Sequence, residues 1–426
     1  PNPNPNPNPN PNPIPDPNPI PNPNPIPNPN PNPNPNPNPI PIPIPIPVVV
    51  VVASRRPQLT PKSIPSYADP DSANQPARSH DMVSFELGEE LAQIQTTVQQ
   101  FAARHLRPKL RAIEKSGPPD ALKAAYAELG LTGVEWPQAA GGQAMGTLVR
   151  VVIEEELAVG DIGAAFALDA PGAASQLLLA LGTPAAHSLL KSLLASGGKA
   201  ALAAAEAGKA QDDFRTLATS TSAGWELTGK KAWVFHGGDA ELTLVLAQVE
   251  PGKGLAGAGV FLVRAGNPGL RAGGTLTTLG LQAVPVRELS FEAAKVAAAD
   301  RLDVPGTLPQ LLRAHYDRLS LVTAARGVGL AHASYDYARA YADERTAFGK
   351  PIGHFQAIAF LVADMATAVD AARWLVWRAA WALDAGQSPT AQIAAAQAQA
   401  MDAAFFCANA AVQILGGAGY LQDHPV

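Results

Sequence analysis

The sequence predicts a multidomain α+β protein: an N-terminal α-helical domain, a middle antiparallel β-barrel or sandwich domain, and a C-terminal α-helical bundle. Three observations predict it. Residues 82–197 carry apolar side chains at helical spacing, and residues 198–305 break into short strand-like runs separated by Gly and Pro. Residues 306–426 then return to long, alanine-rich helical stretches.

Residues 1–81 differ from all of these. Every odd position from Pro1 to Pro47 is proline, with Asn, Ile and a single Asp16 between. Proline lacks an amide donor and fixes φ, so the leader is expected to be a solvated polyproline rod or a disordered tail. Val48–Val52 is apolar but far too short to span a bilayer, and no cationic start makes it a signal peptide. The chain has no initiating Met, whereas Met82 opens a well-formed sequence. The leader therefore reads as a repetitive upstream stretch translated in frame, rather than a rigid spacer or a proline-recognition ligand.

In the first helical domain, Leu87, Leu91, Ile94, Val98 and Phe101 put one apolar stripe on a helix. A second helix runs through Val151, Val152, Ile153 and Leu157, and the triplet Glu154-Glu155-Glu156 between them reads as a solvated face. Thr183-Pro184 gives a helix start, a hydroxyl cap followed by proline at the first position, and Gly197-Gly198 gives a stop. Strands are expected over 224–235, 242–249, 260–263 and 288–292, divided by Gly/Pro turns at 251–254 and 267–269. No helix-length segment lies between them, which favours antiparallel pairing. Leu308, Leu311, Leu312, His315, Leu319 and Val322 resume helical spacing, and further helices through 354–384 and 389–415 are divided by Gly386 and Pro389.

Composition narrows the function. The formal charge is −5 with no basic stripe, which argues against nucleic acid. Cys407 is the only cysteine, which excludes a disulfide framework and a cysteine-based zinc site and suits a reducing cytoplasm. The eight histidines are scattered, so no metal is expected, and no membrane span is expected either.

Four stretches carry chemistry: Ala201-Leu202-Ala203-Ala204-Ala205-Glu206-Ala207-Gly208; Leu227-Thr228-Gly229-Lys230-Lys231-Ala232-Trp233; Tyr341 to Ile352, reading YADERTAFGKPI, followed by Gln356-Ala357; and Gln413-Ile414-Leu415-Gly416-Gly417-Ala418-Gly419-Tyr420. In that order, on a helix–strand–helix background, they resemble the acyl-CoA dehydrogenase family across essentially all of residues 82–426. The resemblance implies an FAD enzyme that takes the α-proton of an acyl-CoA with a carboxylate base while the β-hydrogen leaves as hydride. It implies that Trp233 lies beside the isoalloxazine, against the alternative of a barrel-core tryptophan. Arg345, with Phe348 after it, would meet the FAD pyrophosphate of a neighbouring subunit, against the alternative of a surface arginine. Gln356 and Gln413 would bond the rest of the dinucleotide, and Gly416 and Gly417 would let the backbone approach it.

The chain also departs from the family. Ala205 stands where a threonine bonds the flavin, and Gln211 where a serine lies near flavin and thioester, with Asp212 keeping the adjacent acid. Phe235 stands where a Thr or Ser approaches the hydride-accepting nitrogen. The chain stops at His424-Pro425-Val426, before the family's catalytic Glu-Gly, and is expected to be a truncated fragment or frameshifted reading. The alternative base position is Leu319, which cannot act. Asp317 is the remaining candidate for catalysis or substrate binding, although half a helical turn away. The resemblance further implies a homodimer or homotetramer and an electron-transfer flavoprotein as acceptor. The altered Ala205, Gln211 and Phe235 leave two alternatives: a non-catalytic subunit of a heteromer, or a same-fold flavin oxidase or monooxygenase.

Overall fold

The structure, a computed structural model, describes residues 87–208 and 214–426. The leader, Gln211 and Asp212 lie outside these.

Helices come first. They are α1 (Glu89–Phe101), α2 (Leu110–Ser116), α3 (Asp120–Glu128), α4 (Thr147–Leu168), α5 (Gly172–Leu181) and α6 (Pro184–Ser196). The α6 boundaries are set locally. Thr183 Oγ1 accepts from Ala186 N at 3.2 Å, and Gly197 closes the helix at φ 62°. Inside α4 the backbone breaks at Asp161, whose Oδ1 accepts from Gly163 N at 2.8 Å and so caps the second half. The apolar faces of α1, α3 and α4 meet in one core that includes Val98, Phe101, Leu106, Tyr126, Ile153 and Leu157.

A curled sheet follows, built from β1 (Ala200–Ala203), β2 (Leu217–Thr221), β3 (Gly224–Phe235), β4 (Leu242–Gln248), β5 (Ala258–Arg264), β6 (Leu270–Ala272) and β7 (Val286–Ala297). The order is β1-β4-β2-β3-β7-β6, with β5 on β4. The long pairs β2–β3, β3–β7, β4–β5 and β6–β7 are antiparallel, as expected. The exceptions are both on β4, with which β1, entering from the helical domain, pairs parallel over Ala200–Ala203 and β2 pairs parallel at Leu217.

On β3, Lys231 is fully buried and its Nζ donates to Glu206 Oε1 at 2.7 Å and to the Ala204 carbonyl at 3.1 Å. Glu206 also accepts from Arg215 N, Thr216 N and Thr216 Oγ1, at 2.7, 3.0 and 2.7 Å. One carboxylate thus pins the segment after β1 to β3. Burial pulls the Lys231 ammonium down to about 8 against the attraction of Glu206.

The chain ends in three long helices, α7 (Leu308–Glu344), α8 (Gln356–Asp384) and α9 (Thr390–Leu415). Between α7 and α8 lies a two-stranded hairpin, β8 (Thr346–Ala347) with β9 (Lys350–Pro351). The bundle core is alanine-rich, with Leu321, Val328, Met365, Val376 and Ile393 among its larger members. Residues Thr390–Tyr420 are long and apolar enough to cross a membrane, but α9 buries its face against α7 and α8 within this core.

The glutamate triplet corrects the sequence reading. Glu154, Glu155 and Glu156 are 0, 1 and 3% exposed, so they form no solvated face. Each reaches a different helix. Glu154 accepts from Arg326 on α7 at 2.6 Å, and Glu155 accepts from Arg373 at 2.6 Å and Trp377 at 3.1 Å on α8. Glu156 accepts from Gln95 and Gln99 on α1, at 2.7 and 3.0 Å. Periodicity could not reveal this, because the partner arginines stand 172 and 218 residues away.

Removing one partner of a buried pair strands the other. Glu206→Gln is therefore expected to lower unfolding stability by about 3 kcal/mol or more, measured by thermal or denaturant melts of the full chain. Loss below about 0.5 kcal/mol, the range of ordinary surface changes, would show that the pair does not hold that segment to β3.

Candidate active site

The first site element is a strained strand end. Register pairs Lys231 with Leu289 and Val234 with Arg287, so Ala232 and Trp233 on β3 face the single Glu288 on β7. That is a β-bulge, and it re-aims a side chain. Trp233 takes φ 53° and His236 takes φ 57°, the left-handed region that bulky residues avoid at a cost of about 1–2 kcal/mol each. Val234 points into the sheet core, whereas the Trp233 side chain leaves it and is 44% exposed. The indole is thus no barrel-core residue. Ala205 lies beside it, its carbonyl accepting from Ala232 N at 2.9 Å.

Phe235, also outside the sheet core, stacks on Phe166 near the end of α4, with ring centroids 6.2 Å apart and an interplanar angle of 20°. The Arg326 guanidinium carbon sits 4.1 Å from the Phe166 centroid. Arg326 in turn bonds Glu154 and Asp169 Oδ2 at 2.6 and 2.8 Å, and Arg150 reaches the same two acids at 2.7 and 3.0 Å. Two arginines and two acids are therefore buried and mutually paired directly behind Phe166. Burial opposes ionisation of Asp169, but the two guanidiniums overcome it and hold its carboxyl at about 2. Sequence reasoning missed this cluster, although Arg150 and Glu154 stand four residues apart on one helix face.

The second element is one end of the bundle. The Cys407 thiol lies 3.8 Å from the Met365 carbonyl, so α8 and α9 run side by side there. Gln356 is nine residues back from Met365 and Gly416 is nine on from Cys407, which brings the start of α8 and the end of α9 level. Gln356, Gln413, Gly416 and Gly417 are all exposed there. A Cβ at Gly416 or Gly417 would meet nothing within 4 Å, so no protein atom accounts for these glycines, and Gly416 ends α9 at φ 57°, ψ −128°. Arg345 is exposed at the base of the β8–β9 hairpin, where Ile352 N donates to its carbonyl at 2.8 Å. Its guanidinium has no acidic partner among the described residues. The hairpin turn places Phe348 at φ 51° and 96% exposed, followed by Gly349 at φ 79°.

The predicted residues therefore fall into two sets: Ala205, Trp233 and Phe235 on the sheet, and Arg345, Phe348, Gln356, Gln413, Gly416 and Gly417 on the bundle end. Among the described residues no hydrogen bond, ion pair or ring contact joins the sets within one chain. Asp317 belongs to neither. Its Oδ2 accepts from Thr390 Oγ1 at 2.7 Å, which ties α7 to the start of α9, and burial raises its carboxyl. Leu319 is half-buried two residues further on.

Helical domain, curled sheet with an exposed strained indole, and helical bundle together define a three-domain class of protein. Models for the N-terminal, middle and C-terminal domains of acyl-CoA dehydrogenases match residues 88–197, 201–294 and 313–426. The acryloyl-CoA reductase (NADH) of Anaerotignum propionicum is 32% identical over 351 residues, 81% of this chain and 89% of that protein. The butyryl-CoA dehydrogenase of Megasphaera elsdenii superposes with a TM-score of 0.76 at 28% identity, covering 80% of this chain and 92% of that one. The FAD complex of PigA gives a TM-score of 0.74 at 25% identity, covering 80% and 91%. The chain belongs to the acyl-CoA dehydrogenase family.

The ion cluster makes a pH prediction. A carboxyl depressed in the folded state contributes stability that is present above its ordinary 3.8 and is lost as pH falls through about 2. Melts at stepped acid pH should show this loss in the native chain. Asp169→Asn should start less stable at neutral pH and fall more shallowly over that window. Parallel curves would mean that Asp169 is not held by the two arginines.

Proposed function

We propose that the chain is an FAD-dependent dehydrogenase that oxidises the α,β carbon–carbon bond of an acyl-CoA thioester. Trp233 carries the reading: a bulge holds a large indole in a strained, half-exposed position on a family fold, which suits a flat ring system lying against it. The bundle end fits the rest of a dinucleotide. Arg345 offers an exposed fork for the pyrophosphate, Gln356 and Gln413 offer amides, and Gly416 and Gly417 leave room for close approach.

When bound, the cofactor would supply a hydride acceptor for the β-hydrogen of the acyl group, while the α-proton needs a carboxylate base, which neither Leu319 nor Asp317, tied to Thr390, supplies. The chain's own residues position and shield. Trp233 covers one side of the site and excludes water. Ala205 and Phe235 bring no side-chain hydrogen bonds, so polar contacts there fall to backbone groups.

The separation of the two residue sets supports a site completed between copies of the chain, as a homodimer or homotetramer. Apolar residues exposed on α8 and α9, Phe360, Trp381, Phe405 and Val412, supply a surface for that contact. We place the protein in a reducing cytoplasm, with electrons passing to an electron-transfer flavoprotein.

An absorbance spectrum of the purified full chain supplied with FAD tests the reading. It should show a bound flavin band that is perturbed when an acyl-CoA is added, and a folded protein that takes up no FAD would overturn it. Arg345→Ala should weaken FAD binding by about tenfold or more, and Arg345→Lys should restore only part of it, because a point charge lacks the planar fork. Unchanged FAD titrations in both variants would remove Arg345 from the site.

A further inference from the structure

The Phe166–Phe235 stack is half-buried, so its rings border accessible space, and both belong to elements next to the strained Trp233 strand end. A pair packed only among apolar side chains would be free to repack around a new occupant, but here the Arg326 guanidinium packs on the Phe166 ring. Arg326 sits on Phe166, and Arg326, Arg150, Glu154 and Asp169 are buried in mutual contact. Anything pushed past Phe166 meets four paired charges rather than apolar side chains.

We infer that the Phe166–Phe235 pair is the wall that limits the acyl group, so that the site takes short-chain acyl thioesters. This rests on the dehydrogenase reading above. Magnitudes decide the direction. Each methylene that finds apolar room is worth about fourfold in affinity. Separating a buried ion pair costs roughly a hundredfold to a thousandfold. Methylenes that reach the wall find no such room and recover none of that loss, so affinity falls once the acyl group arrives there. Removing the Phe166 ring opens space in front of the cluster without touching its charges.

The test is calorimetric binding of free CoA, butyryl-CoA and octanoyl-CoA to the FAD-supplied full chain, which needs no turnover. The native protein should bind butyryl-CoA about tenfold or more tighter than octanoyl-CoA. Phe166→Ala should shrink that ratio by about tenfold, and Phe235→Thr should shrink it in the same direction, whereas Phe166→Tyr should keep it. A purely structural role would weaken both esters alike and leave the ratio unchanged. If Phe166→Ala does not fold, as judged by its melt, Phe166→Leu gives the same reading with less loss behind the ring. Octanoyl-CoA bound as tightly as butyryl-CoA by the native chain, or a ratio unmoved in the folded Phe166 variant and Phe235→Thr, overturns the wall while the dehydrogenase stands. Esters bound no better than free CoA overturn the dehydrogenase reading and the wall with it.

Discussion

A carboxylate taken out of water must be met by a charge or a donor, and α4 takes three out in succession. Glu154, Glu155 and Glu156 point around the helix, and each finds its partner on a different neighbour: α7, α8 and α1. The same helix therefore ties the first domain to the bundle and also carries Phe166, whose ring rests on one of those partners. Glu155 is 1% exposed, and burial pushes it up to about 7 even though Arg373 opposes the shift. Positions of the site walls follow from that junction.

The sheet side depends on a second buried pair of the same kind. Lys231 and Glu206 hold the segment after β1 against β3, and the bulge that turns Trp233 outward begins at Lys231 itself. Two buried ionic contacts thus place the two aromatic surfaces of the site, one from each domain. Neither is a generic surface pair worth a few tenths of a kilocalorie, because both are sealed from solvent.

What the sequence showed was what is decided locally. The start of α6 could be read from Thr183-Pro184, and the full length of β3 from Gly224 to Phe235, because caps and β-rich runs act within a few residues. Three strands of the large sheet escaped the reading. Ala200–Ala203 has no β-branched residue and is a strand only because β4 pairs with it, while β2 and β6 are short and mostly exposed. Of the site, the motifs placed Trp233 on a strand and Arg345 after a helix, but the bulge and the left-handed φ depend on the register with β7. The glutamate triplet was misread for the same reason: its meaning lies in arginines far along the chain.

Hydrogen exchange on the full chain, comparing Glu154→Ala, Glu155→Ala and Glu156→Ala, reads the three contacts of α4 one at a time. Three independent ties predict three different patterns: faster exchange in α7 for the first, in α8 for the second and in α1 for the third, with stability lowered by about 3 kcal/mol for the first two and by about 1 kcal/mol for the third, whose partners are neutral amides. Uniform exchange across the variants, with stabilities within about 0.5 kcal/mol of the native chain, would return the triplet to a solvated face and contradict the account.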